Sequence, residues 1–155
     1  MTDADADADR LSDTFAYHLA LGTWSPADAY IARLELDAAP TAGAAARRAL
    51  EAHLLERVRQ GELELLKTLA SELVANAVIH RGHHGRGRVG LLVGASPRCL
   101  RVDGRDDGPG FEPPHAPSPR SAGDGGFGLL IIDRVATRWG AASDAGSCVW
   151  FEIDR

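Results

Sequence analysis

The spacing of apolar and polar positions changes several times along this chain, and each change marks an element. "RLELDA" (33–38) alternates as a half-buried strand does, and Pro40 breaks the pattern before the Ala-rich, helix-prone run 42–59. From about residue 62 to 80, Leu66, Leu69, Ala70, Leu73 and Ala77 recur at three- and four-residue spacing. That spacing predicts a second helix with one apolar stripe, ended by the glycines at 82, 85 and 87. "RVGLLVGA" (88–95) and "RCLRVDGRD" (98–106) read as two strands joined through Ser96 and Pro97. A Gly- and Pro-rich stretch from Gly104 to Gly128 follows, long for a plain connection. "GLLIIDRVATRW" (128–139) is apolar over most of its circumference, as a buried helix would be, and "RWGAASDAG" with "SCVWFEIDR" predicts a closing hairpin.

This order predicts an α/β (α+β) fold, a two-layer sandwich with helices on one face of a mixed, mostly antiparallel sheet. Residues 33–155 form the expected domain. Ahead of it, "MTDADADADR" reads as a flexible acidic tail. Residues 11–32 read as an arm holding Phe15, Leu19, Leu21, Trp24 and Tyr30 without a clear period.

Composition narrows the function. With 155 residues, 45% apolar and 25% charged, the chain suits one folded domain. The net charge of -5, with no dense run of Lys or Arg, argues against nucleic acid as a direct partner. The one lysine, Lys67, lies inside the helical pattern "LLKTLA", so a GxxxxGK[ST] phosphate loop cannot be built. Cys99 and Cys148 lie in apolar runs with no CxxC or HExxH spacing, which reads as two buried free thiols and not as a zinc site. Neither a signal peptide nor a membrane span is legible, so the expected setting is the cytoplasm, away from membranes.

Three stretches carry candidate chemistry. In "SELVANAVIHRGHHG" (71–85), Glu72, Asn76 and His80 recur every four residues, about 40° apart per step around a helix axis, and share one border of the apolar stripe. A carboxylate there can accept a proton, and an amide oxygen one turn on can ligate a hard cation such as magnesium. In "RDDGPGF" (105–111), Asp106 precedes Gly108 and Gly110 at a strand end. Glycines admit a ligand close to the backbone, and the carboxylate can accept a hydrogen bond from an exocyclic amine such as that of adenine. In "GDGGFGLLIIDRV" (123–135) glycines run into a helix start, where free N–H groups and the helix dipole favour an anion. Taken singly, each also reads as something ordinary: a solvated stripe border, a good turn, a helix entry.

In this order the stretches resemble the Bergerat-fold (GHKL) ATPases shared by histidine kinases, gyrase B and MutL, and most closely the bacterial anti-sigma-factor serine/threonine kinases. "SELVANAVIH" is similar to that family's N box, "DDGPGF" to its G1 box, "GGFGLLIIDRVATRWG" to its G2 box and "CVWFEI" to the last strand of its short members. The resemblance covers roughly residues 33–154 and implies ATP and Mg2+ as cofactors. By position it makes Glu72 the general base, Asn76 the magnesium ligand and Asp106 the reader of the adenine amino group. Gly108 and Gly110 shape the adenine pocket, and Gly125, Gly126, Phe127, Gly128 and Leu129 form the phosphate-cradling helix entry. It further implies a lid at about 112–125, in which Arg120 is the candidate γ-phosphate contact, and a supporting role for His80. Two positions depart from the pattern: Ala75 stands where Thr or Ser is common, and Ile79 where Arg is common.

The resemblance also implies partners. Residues 1–32 are too few and too irregular for the dimerising hairpin of a histidine autokinase. The remaining niche is a regulator that phosphorylates a Ser or Thr on an antagonist protein of the anti-anti-sigma type and can sequester a sigma factor; a homodimer is compatible with it. The competing readings are a module that holds ATP without transferring phosphate, and a nucleotide-free scaffold.

Overall fold

A computed structural model describes residues 29–81, 87–106, 127–142 and 147–155. Strand β1 (Ala29–Asp37) leads into helices α1 (Ala42–Leu54) and α2 (Gln60–Arg81). Strands β2 (Arg88–Ala95) and β3 (Cys99–Asp106), helix α3 (Phe127–Val135) and strands β4 (Arg138–Ala142) and β5 (Ser147–Asp154) complete the order. The strands form one sheet, β1-β2-β3-β5-β4, in which every pairing is antiparallel.

The strand alternation decides which face carries the helices. In register, Leu34 lies opposite Leu91, Val93 opposite Val102, and Val102 opposite Phe151. All of these are buried in one core with the α1 stripe Ala42, Ala46, Leu50 and Leu54 and the α2 stripe Leu63, Leu66, Leu69, Ala70, Leu73 and Val74. The three helices therefore form one layer on one sheet face, the two-layer α+β sandwich, and α2 packs on α1, α3 and β3.

Four boundaries differ from the sequence pattern. β1 begins at Ala29 and not at Arg33, because a register shift between Tyr30 and Ala32 interrupts the alternation that would have revealed it. There the Arg57 guanidinium donates to the Ile31 carbonyl at 2.9 Å. α1 stops at Leu54, its last buried position, where Arg57 N–H closes a tighter turn onto the Leu54 carbonyl at 2.8 Å. α2 then starts at Gln60, held by the Glu62 carboxylate, which accepts the Arg59 N–H at 2.8 Å. α3 ends at Val135 and does not reach Trp139, because the Thr137 N–H bonds the Glu152 carbonyl at 2.8 Å and draws the chain into the sheet.

Glu62 also joins the chain end to this helix start. Arg155 donates to its two oxygens at 2.8 and 3.1 Å, and that hydrogen bond holds the Glu62 carboxyl below its ordinary range. A carboxylate with a lowered folded-state pKa stabilises fully above its unfolded value, about 4.3, and the benefit is lost as the pH falls through the lowered one. Glu62→Gln is thus expected to lower the melting temperature at neutral pH and to make progressively less difference in the acid range. Paired thermal melts at about pH 7 and at steps downward from about pH 4 check it.

The sheet face away from the helices carries charge. Arg101 and Glu152 are direct cross-strand partners, and Arg101 Nη1 donates to Glu152 Oε1 at 2.7 Å. Arg101 also grips Asp103 through Nε and Nη2, each bond 3.1 Å at its shorter, and lies 4.2 Å above the Trp150 ring centroid. Arg138 binds Glu152 and Asp154, both at 2.7 Å. Burial opposes the Arg101 charge, and the two carboxylates more than offset it, so its pKa lies above the ordinary value. On the same face burial pushes the Tyr30 hydroxyl up to about 12 and the Cys148 thiol up to about 11, with the Asp103 charge adding to both. Cys148 is therefore a half-buried neutral thiol; Cys99 is buried, and neither cysteine is in a disulfide. Among the described residues no helix is long and apolar enough to cross a membrane.

Candidate functional site

The candidate chemistry gathers where the C-terminal half of α2 meets the first turn of α3. Gly128, the second residue of α3, is buried against α2. A Cβ placed on it would stand 3.0 Å from Asn76 Nδ2 and 3.1 Å from Glu72 Oε2. Two polar groups one helical turn apart thus converge on one point, and a side chain at 128 would have to push both back by a few tenths of an ångström. Leu129 and Ile132 are buried beneath, and α3 is tied at its far end by Trp139 Nε1, which donates to Asp133 Oδ1 at 2.9 Å.

Asn76 is the informative group. It is 4% exposed, and its Nδ2 has no hydrogen-bond partner among the described residues. A buried amide left without a partner costs about 1–3 kcal/mol, so it is better satisfied with something bound in front of it. Turned about its Cβ–Cγ bond, the same amide presents an oxygen, the donor that a hard cation takes. The first N–H groups of α3 have no acceptor within their own helix and favour an anion. A buried amide, the N–H groups of a helix start and a half-buried carboxylate fit a magnesium nucleotide.

Asp106 closes β3, paired with Val89 and Ser147 and half-buried on the helix-bearing face. His80 lies on α2 one turn beyond Asn76, and Phe127 is the first residue of α3. Gly108, Gly110, Arg120, Gly125, Gly126 and the expected lid at 112–125 lie outside the described residues. Two features escaped the sequence reading. The buried Arg101 network was signalled by charge at every second residue in "RVDGRD", and the seating of α2 on Gly104 had no signal beyond a glycine inside a strand.

Sheet and helix layer together define a two-layer α+β domain. The model of the histidine kinase-like ATPase domain matches residues 36–153, well over half of the chain, and the chain belongs to that family. Members bind ATP, generally with Mg2+, and ATP binding is the function that membership shows for this chain. A search of curated proteins gives no match.

Proposed function

We propose that the chain is a Mg-ATP-dependent serine/threonine protein kinase of the anti-sigma-factor type, acting on an antagonist protein and able to hold a sigma factor. The observation that carries this reading is the convergence of the Glu72 carboxylate and the unpartnered Asn76 amide over Gly128. A module that only holds ATP has no use for a carboxylate at that point.

When bound, Mg-ATP supplies a transferable phosphoryl group and a cation that screens its charge. The chain's own residues do the rest. Asn76 offers its amide oxygen to the cation, the N–H groups at the start of α3 hold phosphate oxygens, and Asp106 accepts a hydrogen bond from the adenine amino group. Glu72 accepts the proton of the partner's hydroxyl on a carboxylate oxygen as that hydroxyl becomes a nucleophile.

Incubation with γ-labelled ATP and purified candidate antagonists tests the reading: label on a Ser or Thr of one of them supports it, and ATP-dependent partner binding without label favours the non-catalytic module. The adenine assignment has its own test. Asp106→Asn is expected to weaken ATP by about tenfold or more, the scale of a lost charge-assisted hydrogen bond, and to leave GTP nearly unchanged. Competition binding with both nucleotides checks it.

A further inference from the structure

A glycine inside a strand weakens it unless something needs the space it leaves. Gly104 sits in β3 opposite Leu91 of β2 and Val149 of β5, on the helix-bearing face, and its backbone is not left-handed. Space, and not conformation, is what requires a glycine here. A Cβ at 104 would stand 1.7 Å from Leu73 Cδ2, 3.1 Å from its Cγ and 3.4 Å from its Cδ1. The end of the Leu73 side chain fills the volume that a side chain at 104 would occupy, in a core where Leu66, Leu69 and Val102 are fully buried.

We propose that this interlock is the positioning device of the nucleotide site: Leu73 seated on Gly104 sets where Glu72 and Asn76 stand relative to Asp106. The proposal rests on the Mg-ATP reading above and adds how the two ends of that site are kept in register. Leu73 follows Glu72 directly and precedes Asn76 by one turn, about 4.5 Å along the helix. Gly104 precedes Asp106 by two residues, about 7 Å along the strand. One contact therefore links the metal-and-base end, on α2, to the adenine end, on the sheet. A methyl at 104 must displace the end of Leu73, and the expected response in this packed core is that α2 lifts, whereas Asp106 stays where its pairing with Val89 and Ser147 holds it. Leu73 and Gly104 are positioning residues, with no contact to nucleotide of their own.

The test is calorimetric titration of ATP, with Mg2+ and with a chelator, into the native protein, Gly104→Ala and the double variant Gly104→Ala/Leu73→Ala. Gly104→Ala is expected to keep its metal-free affinity and to lose about tenfold or more of the magnesium-dependent gain, the scale of an ångström of misplacement. The double variant, in which the new methyl meets a shortened residue 73, is expected to recover most of that gain. A merely structural role would lower both affinities by one factor, through the folded fraction. The proposal is overturned by a folded Gly104→Ala with the native magnesium gain, by both affinities falling together, or by a double variant that does not fold or folds without the gain. Should Gly104→Ala alone not fold, the double variant decides on the same readout. Native protein with no ATP affinity in either condition would instead refute the Mg-ATP reading itself, and the interlock with it.

Discussion

Glu72→Gln is expected to bind Mg-ATP as the native protein does and to transfer phosphate roughly a hundredfold more slowly, or worse, the usual scale for loss of a general base. The substitution keeps the shape and an oxygen that can remain near Gly128, so the cleft keeps its form; what goes is the ability to take a proton at that oxygen. Asn76→Ala should behave differently and lose both binding and transfer, because the amide is buried in the cleft and its place would be left to nothing polar. Single-turnover transfer from labelled ATP to a purified antagonist, at saturating nucleotide, separates the two. Equal rates for native and Glu72→Gln protein would remove Glu72 from the chemistry.

Arg101→Met is expected to destabilise the fold by about 3–5 kcal/mol, the cost of breaking a buried ion pair from one side. Arg101 and Asp103 are both 0% exposed and Glu152 is 1% exposed, so the arginine's removal strands carboxylates away from water. Against a total stability of about 5–15 kcal/mol for a domain, that is a large share. Arg138 offers the control. It also binds the buried Glu152, yet its own side chain is 47% exposed, so water can take its place at that carboxylate and its loss is expected to cost much less. Urea midpoints of Arg101→Met and Arg138→Met should therefore differ several-fold in their displacement from the native value, and equal displacements would contradict the assignment of the buried charge.

Local period carried the fold class, since every strand that alternates cleanly and every helix with an apolar stripe is legible in one window of sequence. The boundaries that escaped did so for tertiary reasons. β1 is broken by its irregularity at Ile31, the break between α1 and α2 is set by where Leu54 ends its stripe, and α3 is cut short by a bond from Thr137 to Glu152. The site splits the same way. Glu72 and Asn76 share a helix border and show themselves by spacing, and Gly128 by opening a helix, but spacing alone does not bring the three together; only the resemblance to the ATPase boxes implies it. The Arg101 to Glu152 bond joins residues 51 apart, and the Leu73 seat on Gly104 joins a helix to a strand. Such pairings exist only once the sheet has its order, β1-β2-β3-β5-β4.

ATP with magnesium is expected to bind where the C-terminal half of α2 meets the start of α3. Calorimetric titration of ATP into the native protein, in Mg2+ and again in chelator, tests it most directly. The predicted result is saturable binding that tightens when Mg2+ is present; folded protein that gives no binding heat at millimolar ATP in either buffer would contradict it.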